Sequence, residues 1–244
     1  LAPIKRNFFT STRMSLLKRR VVKDTVIYTL ANYIAMAIGI LVGVVTKAIL
    51  GTVGAGYWAL LRVFASYGEY SDLGTRNAMN REIPRVMGAG KQEEALKTQD
   101  SAYAFMLLAS FISSFVIAII ALTMQDTVLR KGLLICTALV IATQLYNFSL
   151  TLLRTLKKVG ALSMVIIMNM VLVGIFSILG ALWKGVLGMA VGVSIATFIS
   201  AWNAYALGKM DFRIRWDSTE ILRLVRIGFP MVIISYALVT FLSL

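Results

Sequence analysis

The chain has no histidine and one cysteine in 244 residues. Without histidine the commonest general base and imidazole metal ligand are missing. Cys136 lies in an apolar run and has no second thiol, which excludes an internal disulfide framework and a thiolate metal cluster. Proline occurs three times, and none falls between Pro84 and Pro230. That long middle therefore contains no residue that obligatorily breaks a helix. Acidic residues are few, 11 against 25 basic, leaving a net charge of +14. No nucleophile–base pair, metal-ligand set or catalytic triad can be assembled from what remains. The expectation is a protein that is not an enzyme and holds no metal or cofactor.

What the chain does have is apolar length. Hydrophobic residues make up 59% of it, with a mean hydropathy of +0.81. Soluble domains run near 45–50% apolar, so lipid is the expected solvent. A crossing helix needs ~20 mostly apolar residues at ~1.5 Å each. Six runs meet that need: 25–50, 57–80, 102–124, 132–153, 160–183 and 185–207. A seventh starts near residue 227. The first is too long for a signal-peptide core and no small-residue cleavage site follows it. The expected fold class is therefore an all-α membrane protein, a six-transmembrane-helix N-terminal lobe plus a truncated seventh helix. The expected divisions are a basic cytoplasmic segment 1–24, the lobe 25–208, an amphipathic cytoplasmic linker 209–227 and the start of a second lobe, 228–244. Met14 looks like a more natural start than Leu1, so residues 1–13 read as upstream sequence or a loose tail.

The basic residues set the orientation. With the N-terminus in the cytoplasm, Lys18, Arg19 and Arg20, then Arg81 and Arg85, then Lys157 and Lys158, then Arg213 and Arg215 all fall inside. Only Arg130, Lys131 and Lys184 fall in outside loops. This is the positive-inside pattern. It accounts for the net charge as topology and attraction to anionic headgroups rather than nucleic-acid binding. Trp58 and Trp183 sit at predicted outer edges and Trp216 in the inner linker, as in aromatic belts. The spacings Gly39–Gly43 and Gly188–Gly192 would let helices one and six approach their neighbours closely. "GTVGAG" (51–56) superficially resembles a phosphate loop, but it follows a membrane helix and no Lys-Ser/Thr follows it, so it reads as a short outer turn. Lys91, Glu93 and Glu94 read as a solvated loop. In "WDSTEILRLVRIGFP" (216–230), Asp217 and Glu220 have capping-box spacing. There Ile221, Leu224 and Val225 would face lipid, Arg223 and Arg226 headgroups, and Pro230 would set a bend or first turn.

Charges inside the second run stand out. On a wheel of 100° per residue, Arg62, Glu69, Asp72 and Arg76 share one face with Ser66 and Asn80. Counting from Tyr57, Arg62 lies ~8 Å deep, Glu69 ~18 Å, Asp72 ~23 Å and Arg76 ~29 Å. Asp72 precedes Arg76 by four residues, the favoured order for a structural ion pair. Glu69 near the midplane costs roughly 2.5–3.5 kcal/mol on insertion scales and wants water, a polar partner or a ligand. Spans three to six carry no charge, so Arg62 and Glu69 have almost no ionic partner but each other. Gln144 and Asn147 share a face of helix four with Thr151 and Arg154. Asn32, Asn169 and Asn203 are single mid-span amides in helices one, five and six. Each amide could be interhelical glue or, taken together, they could line a cavity suited to sugar hydroxyls.

The order of parts is also familiar: "LLKRRVVKDTVIYTLANY", then "ILGTVGAGYWALLRVFASY", then "DLGTRNAMNREIPR", and later "ILRLVRIGFPMVI". The chain resembles the oligosaccharide flippase (polysaccharide transporter) family, within the superfamily that also holds multidrug and toxin extrusion exporters. The resemblance covers most of the chain. It implies two six-helix lobes around a central cavity, of which this is the N-terminal one, its partner lobe lying in a missing C-terminal part of the same chain. It implies transfer of a polyprenyl-pyrophosphate-linked oligosaccharide across the inner membrane by alternating access, for cell-surface polysaccharide synthesis. On that reading Arg62 holds the pyrophosphate and Glu69 couples transport to H+ or Na+, while Asn32 is the only polar group at mid-depth in helix one. The competing readings are a cation-coupled multidrug exporter of the same fold, a membrane-embedded glycosyltransferase or polymerase, and a non-transporting assembly subunit. The polymerase would want a large outer loop, and the longest here is about 125–131.

Overall fold

The long apolar runs fold as helices because backbone N–H and C=O groups must be satisfied within the segment where water is absent. The computed structural model describes the backbone of residues 5–210 and 212–242, and the side chains of residues 22–210 and 212–234. The side chains of most of the basic segment 1–24, including the expected tail 1–13, and those of 235–244 lie outside the described residues. Six helices follow in order: α1 (Lys5–Glu69), α2 (Thr75–Gly88), α3 (Gln92–Thr123), α4 (Thr127–Thr155), α5 (Val159–Gly208) and α6 (Ser218–Leu242). No strand occurs among the described residues.

Among the described residues four stretches are long and apolar enough to cross a membrane, and two of them, Val22–Glu69 (48 residues) and Val159–Gly208 (50 residues), are each long enough for two crossings. Each of these is bent at a glycine. In α1 the break is Gly51 (φ 67) and in α5 it is Lys184–Gly185, with φ 58 at Gly185. Positive φ costs glycine nothing that a Cβ would impose. The limbs of α5 fold back on each other in direct backbone contact. A Cβ on Gly188 would collide with the Gly180 carbonyl, and one on Gly192 with the Phe176 carbonyl. The spacing Gly39–Gly43 does nothing comparable, since a Cβ at either position would meet no atom within 4 Å. The six expected crossings are therefore the two limbs of α1, then α3, α4 and the two limbs of α5.

The second crossing differs from the straight helix expected over 57–80. Helix α1 stops at Glu69, residues 70–74 form a turn, and α2 restarts at Thr75. Leu73 (φ 48) and Gly74 (φ 79) carry the chain through left-handed conformations. The single wheel drawn through Arg62, Glu69, Asp72 and Arg76 thus fails beyond Glu69. Glu93 and Glu94, expected in a loop, form the acidic first turn of α3, where they favour the helix N-terminus.

Asp126 fixes the start of α4. Its Oδ1 accepts hydrogen bonds from the Val128 and Leu129 amides at 2.8 and 2.9 Å, and its Oδ2 accepts one from the Tyr57 hydroxyl at 2.6 Å. The Tyr57 bond, with help from those amides, holds the Asp126 carboxyl below its ordinary range.

After α5, Phe212 stacks on Tyr103 with centroids 4.6 Å apart and meets Phe148 edge-on at 5.5 Å. Asp217 then caps α6, its Oδ1 accepting from the Thr219 and Glu220 amides at 3.1 Å. Glu220 does not reach back to complete the box. Its carboxylate accepts from Thr98 Oγ1 at 2.6 Å and from Arg223 at 2.8 Å. The apolar face of α6 also differs from expectation. Ile221 and Leu224 are buried, and Leu224 belongs to a core with Met79, Ile83, Met106 and Phe148. They face protein rather than lipid because α6 lies along α2 and α3 and is tied down by Lys97–Asp217 (2.6 Å) and Arg223–Glu82 (3.8 Å). The helix runs unbroken through Pro230, so the amphipathic segment and the expected start of a seventh helix are one element.

Candidate functional site

The second limb of α1 folds back beside the first, and this brings Arg62 level with Gly43 and Thr46. Between these limbs and α5 lies a groove of about 230 Å3, lined among others by Gly43, Thr46, Trp58, Arg62, Gly174 and Ser177. Arg62 is exposed, and no hydrogen bond or ion pair among the described residues involves its guanidinium. Thr46 Oγ1 donates to the Val42 carbonyl at 2.7 Å and Ser177 Oγ to the Gly174 carbonyl at 3.0 Å. Each hydroxyl has its proton engaged and a lone pair left to accept. No acidic residue among the described residues lines the groove. Its chemistry is one fixed cation among apolar and hydroxyl groups, a combination that attracts an anion strongly where water is scarce.

Glu69 is the last residue of α1, two turns below Arg62, and is half-buried. Its carboxylate makes no hydrogen bond or ion pair among the described residues, whereas its backbone carbonyl accepts from Arg76 Nη2 at 3.1 Å. Arg76 also places Nε 2.5 Å from Asp72 Oδ2, and Asp72 Oδ1 accepts from the Gly74 amide at 3.2 Å. The Asp72–Arg76 pair therefore bridges the break between α1 and α2.

Gln144 is not on the groove. It is fully buried on α4, and Nε2 lies 3.2 Å from the carbonyls of Gly68 and Glu69 and from Ser71 Oγ. It adds a donor to carbonyls at the end of α1, which the Ser71 amide and Arg76 also serve. Asn169 is likewise buried, beside the Tyr146 hydroxyl. These two amides join helices rather than line an open cavity. Asn147 is half-buried, and its carbonyl accepts from Thr151 Oγ1 at 2.9 Å. Asn203 Nδ2 donates to the Ile199 carbonyl at 2.9 Å, and Asn32 Nδ2 to the Tyr28 carbonyl at 2.7 Å. Asn32 is exposed on the first limb of α1.

A further cluster had no sign in the sequence spacing. Arg154 Nη2 donates to the Tyr28 hydroxyl at 3.1 Å, with the guanidinium carbon 5.8 Å from the ring centroid. One turn beyond Tyr28 lies Asn32, so these three form a second polar patch. Tyr28 and Arg154 are 126 residues apart, and only the folded chain pairs them. Thr46 and Ser177 were also missed, because single hydroxyl residues in apolar helices usually bond back to their own helix, as these do.

No protein-family model and no curated protein sequence matches the chain. A solved structure does: a MOP superfamily transporter from Pyrococcus furiosus Vc1, described by the reverse polarity of its binding pocket. It aligns with a TM-score of 0.59 at 17% identity, over 85% of this chain and 51% of that one. The chain spans about half the length of that protein, and over that half it has the fold of a MOP superfamily transporter.

Proposed function

We propose that this chain is part of a non-enzymatic membrane transporter that moves a polyprenyl-pyrophosphate-linked oligosaccharide across the cytoplasmic membrane by alternating access. The observation that carries the proposal is Arg62: a guanidinium with no hydrogen bond or ion pair among the described residues, on a groove that no described carboxylate lines. Arginine keeps its charge at any physiological pH and offers a planar donor fork that matches phosphate oxygens. The exposed amide of Asn32, in the neighbouring polar patch, suits sugar hydroxyls. Glu69, which makes no ion pair among the described residues, is the proposed site of coupling to H+ or Na+. The N-terminus lies in the cytoplasm on this reading, residues 25–208 form one lobe, and a second lobe closes the pathway opposite.

The same fold could serve a cation-coupled exporter of drugs. A cationic cargo would call for acids on the groove, and the groove presents a base. The MOP fold together with this charge sign therefore favours an anionic cargo.

The test is Arg62→Ala and Glu69→Gln in the full protein. Both are expected to abolish surface polysaccharide while membrane levels of the protein stay normal. Wild-type glycan output from both variants would refute the assignment.

A further inference from the structure

A second and larger cavity, of about 650 Å3, opens between the first turns of α3 and the extended segment before α6. Glu93, Leu96, Lys97 and Asp100 line it from α3, and Arg213, Ile214 and Arg215 from the facing segment. Its walls are tied together. The Arg213 amide donates to Asp100 Oδ1 at 3.3 Å, Lys97 pairs with Asp217 at 2.6 Å, and Phe212 is stacked against Tyr103.

Once those ties are made, the charges facing the opening sort themselves. Lys97 is compensated by Asp217, and Asp100 and Arg213 are both engaged. Arg215 on one wall and Glu93 on the other are both exposed, and no hydrogen bond or ion pair among the described residues involves either. Large apolar side chains stand beside them: Ile214 is 75% exposed, Leu96 56% and Trp216, next to Arg215, 55%.

The depth of the cavity gives these groups a meaning. The apolar run of α3 starts at Ala102, and Leu96 lies six residues before it, about 9 Å of helix rise. With α3 crossing the bilayer, the cavity opens at the level of the headgroups, where tryptophan and arginine are at home. A net anionic headgroup would meet Arg215 but be repelled by Glu93. A zwitterionic one answers both, with its phosphate on the guanidinium and its ammonium on the carboxylate. The apolar side chains Ile214 and Leu96 would take the glycerol and first methylenes.

We infer that this cavity is a binding site for a phosphatidylethanolamine headgroup from the leaflet adjoining the basic end of the lobe, with Arg215 holding the phosphate and Glu93 the ammonium. The site is separate from the Arg62 groove and stands whatever the cargo is, since lipid retention does not read transport.

The experiment is native mass spectrometry of the purified full chain with phosphatidylethanolamine, phosphatidylcholine and phosphatidylglycerol of identical acyl chains. Phosphatidylethanolamine is expected to be retained roughly fivefold better than either, the upper worth of an exposed ion pair. Arg215→Gln should remove that retention. Glu93→Gln should erase the preference over phosphatidylcholine, whose methylated ammonium donates no hydrogen bond, and it serves as the independent variant if Arg215→Gln does not fold. Arg226→Gln, an exposed cation away from the cavity, should change nothing. Equal retention of the three lipids, a preference for phosphatidylglycerol, or wild-type behaviour of Arg215→Gln and Glu93→Gln would overturn the assignment.

Discussion

Gly74 and Gly228 lie backbone against backbone: a Cβ on either would collide with the carbonyl oxygen of the other. Gly74 closes the turn that interrupts the second crossing, and Gly228 lies on α6 two residues before Pro230. The contact thus docks α6 onto the break in the second crossing. Gly74 also needs its positive φ, 79°, whereas Gly228 needs only the space. Gly74→Ala should cost about 1–3 kcal/mol from strain at positive φ, with the clash added. Gly228→Ala should loosen α6 without local backbone strain. Gly39→Ala, which meets no atom within 4 Å, should be neutral or slightly stabilising. Thermal unfolding of the three variants in detergent checks the ranking, and equal melting of all three would show that this apposition is not needed.

The same break depends on Arg76. Its Nε pairs with the buried Asp72 carboxylate and its Nη2 caps the Glu69 carbonyl, so one side chain spans both sides of the turn. Removing it leaves a buried carboxylate without its cation, which typically costs about 3–5 kcal/mol. Arg76→Ala should therefore be strongly destabilising, and Asp72→Asn with Arg76→Ala less so than Arg76→Ala alone. A double-mutant cycle on melting temperature reads the coupling, and additivity of the two changes would deny it.

Gln144 closes the break from the other side. Gln144→Leu keeps the bulk but removes the donor facing the Gly68 and Glu69 carbonyls. Arg76 still serves the Glu69 carbonyl and the Ser71 amide the Gly68 carbonyl, so the loss is that of a buried hydrogen bond, about 0.5–1.5 kcal/mol. Gln144→Glu should be worse, because a carboxylate would face those carbonyls. If Gln144→Glu melts with the wild type, the amide is not acting as a helix cap.

These residues also mark how far the sequence could be read. Apolar length alone located the crossings, and "GTVGAG" marked the first reversal, because lipid imposes length and a tight reversal imposes positive φ. The break at 70–74 was hidden. "SDLG" contains the serine, aspartate and glycine of a turn, yet the charged residues around it fit a continuous wheel equally well. The role of Gln144 was not legible either, since its acceptors lie about 75 residues away in the chain. Ile221 and Leu224 show a different limit. A 3.6-residue period identifies an apolar face, but lipid and protein interiors are equally apolar to it, so the pattern cannot say which one the face meets.

The tie between the linker and α3 has a defined response to pH. Lys97, foremost, then Thr219 and the Glu220 amide bond the Asp217 carboxylate and hold its titration far below the ordinary aspartate range. A depressed folded-state value means the unfolded chain takes up a proton first as pH falls. The stability from Asp217 is therefore fully present above the unfolded aspartate value of about 4 and is lost as pH drops from there through the lowered folded value. Docking of α6 should be indifferent to pH between 8 and about 5, well above that range. Asp217→Asn keeps an oxygen to cap α6 but gives up the charge paired with Lys97, so it should melt slightly lower at neutral pH and lose this component of acid sensitivity. Melting curves of wild type and Asp217→Asn across acid pH should converge as the carboxylate is protonated. Curves that stay parallel to the lowest pH would mean that the lysine pair contributes nothing to holding α6 on the lobe.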